Sequence, residues 1–162
     1  MALHYQFRPM SEADLPLVRR WLDTAHVREW WGDPLEQYTL VSEDLGHAGM
    51  KQYIVVAADR PFAYLQCYDP TAWPENGLGA LPSGTRGVDQ FIGEADMMER
   101  GHGSAFIRSF VDNLLTAGTP RVVTDPSPAN ARAIRAYEKA GFVKERQVDT
   151  PDGPALLMVR DR

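Results

Sequence analysis

The chain has 162 residues, 44% hydrophobic and 24% charged, with a single cysteine and a formal net charge of −5. That length predicts one domain over 1–162, and the apolar fraction argues against wholesale disorder. No apolar run approaches the roughly 20 residues a bilayer-spanning helix needs, and Met1–Arg8 shows no basic-then-apolar leader. Cys67 has no internal partner to bridge, which suits a reducing, cytoplasmic setting, and the four histidines lack metal-ligand spacing.

In chain order, Tyr5–Arg8 is a short strand. Ser11–Asp14 resembles a capping box ahead of Leu15, Val18, Trp21 and Leu22 at helical spacing. Val27–Pro34, which contains Trp30-Trp31-Gly32, is loop-like, and Leu35–Gly46 is a weaker helix. Tyr53–Ala58 and Phe62–Tyr68 form a hairpin around a turn at Asp59-Arg60-Pro61. Asp69–Gly87, with four glycines and three prolines, is a long loop, a kind of segment that is usually functional or disordered. Val88–Ile92 is a strand, and the helix after Gly103 is marked by Phe106, Ile107, Phe110, Val111, Leu114 and Leu115. Arg121–Thr124 is a strand, Ser127-Pro128 caps a helix reaching Lys139, and Phe142–Asp149 pairs with Ala155–Val159 across Thr150–Gly153. The resulting β-α-α-β-β-β-α-β-α-β-β order needs parallel neighbours in its second half.

Charge is uneven. Asp69–Glu99 carries six acids against Arg86, whereas Arg100–Arg135 carries five arginines against two aspartates. Solvated surface accounts for most such residues, but an acidic stretch beside a basic one also suits a cationic substrate and an anionic cofactor. Nucleic acid is disfavoured by the lack of excess Lys and Arg.

Two segments carry chemistry. The first is Gly93–Ser104, a glycine-rich turn between a strand and a strong helix, whose backbone N–H groups could converge on an anion. It is neither a dinucleotide fingerprint, since Phe106 stands where a third glycine belongs, nor a P-loop. A plain flexible turn is the alternative. The second is Asn130-Ala131-Arg132-Ala133-Ile134-Arg135-Ala136-Tyr137-Glu138-Lys139-Ala140-Gly141-Phe142. Asn130 and Tyr137 share one helical face about 10 Å apart along the axis, with small Ala133 between them. A packed aromatic and an ordinary first-turn asparagine would fit the same pattern.

Together these segments resemble the GNAT superfamily of acyl-CoA-dependent N-acyltransferases, with its Asn-x-x-Ala-x-x-x-Tyr-x-x-x-Gly-Phe segment. The usual Gln/Arg of its pyrophosphate turn is Met98 here. The resemblance implies an α/β fold: a mixed, mostly antiparallel sheet with central splayed parallel strands, flanked by helices. His26–Gly32, Arg86–Gln90, Thr124–Pro128 and Thr150–Ala155 further resemble aminoglycoside 6′-N-acetyltransferases, which are antibiotic-resistance enzymes, although Asp69–Ser83 matches poorly.

What the resemblance implies is an acetyl-CoA-dependent N-acetyltransferase acting on a primary amine of a cationic small molecule. An aminoglycoside is the first expectation. Alternatives are another amine (a siderophore intermediate, a polyamine or a protein N-terminus) and a non-catalytic acyl-CoA sensor. Acetyl-CoA would bind along Gln90, Phe91 and Ile92, at Met98, Arg100, Gly101, His102, Gly103 and Ser104, and at Asn130, Ala133 and Tyr137. Asp89 would be the base, Tyr137 the acid that protonates the thiolate, and Trp30, Trp31, Asp89 and Asp125 the acceptor's contacts. Asp125 also suits a helix-entry turn, and a Trp-Trp pair also suits a core. Neither nucleic acid nor membrane is an expected partner.

Overall fold

A computed structural model describes residues 4–162; the first three residues of the segment read above for a leader lie outside it. The elements are β1 (Tyr5–Pro9), α1 (Leu15–Leu22), α2 (Ala25–Trp31), α3 (Pro34–Asp44), β2 (Met50–Ala57), β3 (Arg60–Tyr68), β4 (Arg86–Ile92), α4 (His102–Thr116), β5 (Arg121–Thr124), α5 (Ala131–Lys139), β6 (Val143–Thr150) and β7 (Gly153–Asp161). Strands are hydrogen-bonded in the order β1-β2-β3-β4-β5-β7-β6. The sheet is mixed, with β1–β2, β5–β7 and β6–β7 antiparallel and β4–β5 parallel. No helix among the described residues is long and apolar enough to cross a membrane.

Four sequence expectations change. Ala25–Trp31 is helical, not loop: only Val27 is buried in it, so the apolar repeat was too short to register. The first hairpin turns at Ala58 and Asp59, both with positive φ, which leaves Arg60 and Pro61 within β3. The last helix starts at Ala131, because Asn130 is its N-cap and accepts from the Ala133 N–H at 3.2 Å, while Ser127 lies in the preceding turn. Finally, the strand expected to begin at Val88 begins at Arg86, because Arg86 and Gly87 pair with β5.

The residues fall into two compact units, one built from the chain up to Gln66 with Gln90–His102, the other from Cys67–Asp89 with Gly103–Arg162. In the first, Val18, Trp21, Leu22, Val41, Ile54 and Tyr64 form a buried cluster that includes Phe91 of β4. Trp21 is buried, and its indole N–H donates to Glu94 at 2.6 Å, so the ring enters the core without an unsatisfied donor. A Cβ on Gly93 would lie 2.1 Å from the Trp21 ring, so the residue directly after β4 must be a glycine. The Ser11–Asp14 capping box is present, and Asp14 also holds Arg8 through two 2.9 Å bonds.

In the second unit, Leu78 packs with Val123, Val148, Ala155, Leu157 and Val159. The long segment after β3 is therefore ordered despite its composition. Leu78 is 1% exposed, its carbonyl accepts from Arg146 at 2.7 Å, and its N–H donates to the Asn76 side chain at 2.8 Å. One buried leucine and one asparagine fix a loop that has no apolar period. The predicted apolar face of α4 is buried at Phe106, Ile107, Phe110, Val111 and Leu115.

Candidate active site

The decisive geometry is where β4 and β5 part. Their parallel register consists of Arg86↔Val122 and Gly87↔Val123. Continuing the register by two residues brings Asp89 level with Asp125, which directly follows the last residue of β5. Strands that pair at one end and diverge at the other leave a crevice at their C-terminal ends, where open α/β sheets place ligands. The Asp89 and Asp125 carboxyls lie close enough there to act on one another through charge.

Their surroundings alter their chemistry. Burial, then the Asp89 carboxylate, then Asp152 push the Asp125 carboxyl up to about 8. Near neutral pH, then, Asp125 holds a proton. Burial thus tunes the acid expected to bind substrate.

Tyr137 is 4% exposed and meets the Phe142 ring edge-on at 5.4 Å. Part of the packed-aromatic alternative is therefore real, although the ring also belongs to the electrostatic neighbourhood of Tyr68 in the same unit. Asn130 uses its side-chain oxygen as a cap, and Ala133 is half-buried on the first turn of α5.

Sequence reasoning missed Tyr68. Its phenol lies against Gly87, where a Cβ would sit 2.2 Å from Cζ and 2.6 Å from the hydroxyl oxygen. Burial, followed by Asp89 and Asp125, drives this phenol well above its ordinary range. The available signal was a tyrosine at the end of one strand and a glycine within the next; nothing local announced that they meet.

In the other unit, the tryptophan pair divides. Trp31 sets its ring edge-on to Phe91 at 5.0 Å and to Tyr64 at 6.1 Å, joining the buried cluster, whereas Trp30 remains 42% exposed. Phe91 turns its side chain into the core, Ile92 accepts at its carbonyl from His26 Nε2 at 2.9 Å, and Gln90 is half-buried. Beyond β4 the backbone passes through positive φ at Glu99 and Gly101 immediately before α4 opens. Arg100 and Gly101 are exposed there, and Met98, Gly103 and Ser104 are half-exposed. His102 faces inward, sharing a 2.8 Å hydrogen bond with the Tyr5 hydroxyl and packing against Phe62. Any contact of His102 with an anion would be made through its backbone.

A family model for the acetyltransferase (GNAT) domain matches residues 10–150, and the chain belongs to that family of N-acetyltransferases. Among curated relatives, the aminoglycoside N(6′)-acetyltransferase type 1 of Klebsiella pneumoniae is 36% identical over 170 residues, covering 96% of this chain and 82% of its own length. Aminoglycoside acetyltransferase AAC(6′)-Ib in complex with coenzyme A and kanamycin superposes with a TM-score of 0.85 at 34% identity, covering 98% of this chain and 95% of the other. The same enzyme with paromomycin and acetyl-CoA gives 0.88 at 34% identity, covering 98% and 93%.

Proposed function

We propose that the protein transfers the acetyl group of acetyl-CoA to the 6′-amine of an aminoglycoside, and that it does so inside the cell. The observation that carries this is the acid pair at the parting of β4 and β5, in a chain whose relatives are named for that reaction. An ammonium cannot attack a thioester; it must first lose a proton. The Asp89 carboxylate attracts the cation and accepts that proton, directly or through water. With Asp125 protonated near neutral pH, the pair presents about one negative charge to one ammonium. The neutral nitrogen then attacks the thioester carbonyl, a C–N bond forms, the nitrogen releases its second proton to solvent and the C–S bond breaks. Tyr137 donates its phenolic proton to the departing thiolate and regains one from solvent.

For the donor, the turn at Met98, Arg100, Gly101, His102, Gly103 and Ser104 would hold the pyrophosphate through backbone N–H groups, an arrangement supported by the left-handed bends that expose that backbone. Gln90, Phe91 and Ile92 would run beside the pantetheine arm with backbone rather than side chains, since Phe91 is committed to the core. On α5, Asn130 and Ala133 would border the same arm, with Tyr137 at its sulfur end. Exposed Trp30 would supply an apolar face for sugar rings, next to Trp31, which is set edge-on against Phe91.

Thiol release from acetyl-CoA in the presence of kanamycin, with mass analysis of the product, tests the proposal. A singly acetylated kanamycin modified at the 6′ nitrogen is expected. No turnover with any 6′-amino aminoglycoside, but turnover with polyamines or peptide N-termini, would replace the substrate while keeping the reaction.

A further inference from the structure

The peptide between Ile92 and Gly93 fixes what the end of β4 can bind. The Gly93 N–H donates to the Phe62 carbonyl of β3 at 2.8 Å, and no cis peptide occurs among the described residues. In a trans peptide the C=O and N–H point in opposite directions, so the Ile92 carbonyl faces away from β3. A half-buried carbonyl turned from its neighbouring strand needs another donor. His26 of α2 supplies it, with Nε2 2.9 Å from that oxygen. A carbonyl only accepts, so Nε2 carries the hydrogen and Nδ1 is the bare nitrogen of the neutral ring. The same contact orients the helix. His26 and Trp30, four residues apart, share one face of α2, and Val27 and Trp31 share the next. Val27 is buried and Trp31 packs edge-on against Phe91 at 5.0 Å, so α2 meets β4 twice: a polar tie in its first turn and an apolar one at its last residue. Two ties at opposite ends leave a helix of seven residues little freedom to roll or slide.

We propose that His26 is a positioning residue that sets the acceptor's wall against the donor's strand. Its Nε2–H holds the Ile92 carbonyl, and so fixes Trp30, on the same helical face, relative to the edge of β4 along which the thioester arm would lie. Reaction between two bound molecules depends on such alignment: a displacement of about 1 Å costs on the order of a hundredfold in rate. Capping has a second effect. The N–H and C=O of one strand residue leave on the same side, so with its carbonyl taken Ile92 presents that edge with a donor alone. In this role His26 acts through Ile92 and Trp30, not on the reacting atoms. The inference rests on the acetyl-transfer reading proposed above.

The test compares His26→Leu and His26→Gln with wild type in thiol-release kinetics with kanamycin and acetyl-CoA. Glutamine keeps an N–H donor near the Nε2 position but cannot take up a proton, whereas leucine keeps bulk alone. The expected result is a kcat about tenfold lower in His26→Leu, recovered to within about threefold of wild type in His26→Gln, with the KM for acetyl-CoA within about twofold in both. His26→Leu turning over like wild type overturns the inference. Equal losses in both variants overturn it too, by making the imidazole a base or a packing group. A wild-type chain that acetylates no 6′-amino aminoglycoside fails the reading of the reaction and takes the alignment role with it. Nitrogen-15 spectroscopy of the wild-type imidazoles in alkaline buffer, with His26 assigned through its backbone, needs neither activity nor a folded variant. The Nε2–H tautomer supports the tie to Ile92, and the Nδ1–H tautomer overturns it.

Discussion

Two pairs of acids, three of their four members from the acidic stretch 69–99, meet opposite fates. Glu94 and Asp96, in the unit containing α1–α3, are tied to cations and donors: Arg60 grips Asp96 at 2.7 and 2.8 Å, and Glu94 takes the Trp21 indole and Arg20. Their carboxyls sit below the ordinary range, Glu94 chiefly through the Trp21 bond and Asp96 through Arg60. In the unit containing α5, burial and the neighbouring Asp89 instead raise Asp125. Net charge by segment therefore says little about steering. What matters is which carboxylates are held by cations and which are buried beside another acid.

The largest effect that would break this contrast is on catalysis. Asp89→Asn should lower kcat/KM for kanamycin by about 10²-fold or more, measured by thiol release, whereas Asp96→Asn should leave turnover unchanged. Equal losses in both would erase the distinction between the two groups of acids. Next, Tyr137→Phe should cut kcat by about tenfold or more with acetyl-CoA binding retained in calorimetry; parallel loss of both would make the buried ring a packing residue alone.

A stability measurement sharpens the comparison further. Asp125 has its carboxyl raised from 3.8 in the unfolded chain to about 8 in the folded one. Between these values the unfolded state has released a proton that the folded state still holds, so stability falls as pH rises from about 4 to about 8 and levels off beyond. Glu94 and Asp96 work the other way, adding stability that is lost as pH falls through their depressed folded values. Thermal unfolding of Asp125→Asn should lack the wild-type decline between pH 4 and 8; an identical slope would show that Asp125 ionises freely. A smaller effect on function comes from Leu78→Ala, which should cost about 2–5 kcal/mol of stability through a cavity beside β5, β6 and β7, with kanamycin KM rising only as the loop loosens. The smallest is Arg60→Ala, whose exposed ion pairs should leave both turnover and melting temperature nearly unchanged.

Much of this was legible in the chain. The Asn130–Phe142 segment, the apolar face of α4, the β5 strand and the Thr150–Gly153 turn announce themselves locally, because capping, 3.6-residue periodicity and turn chemistry act over short distances. The candidate acids came from the family resemblance: Asp89 lies within β4 and Asp125 directly after β5. Other features could not be found this way. That Asp125 carries a raised carboxyl depends on burial, which no local pattern reports. Tyr68 meets Gly87 across the gap of a 17-residue connection, from 69 to 85. His102 turns inward to Tyr5, nearly a hundred residues earlier, although the Gly-His-Gly sequence also suited a plain flexible turn. In each case a long-range contact overrides what the neighbours in sequence imply.

The most direct single measurement is the mass and site of modification of kanamycin after incubation with acetyl-CoA and either the wild-type chain or Asp89→Asn. The wild-type chain should yield a product one acetyl group heavier at the 6′ nitrogen, and Asp89→Asn should yield almost none in the same time. An unmodified antibiotic with the wild-type chain, or equal product from both, would contradict the assignment of this acid pair to acetyl transfer.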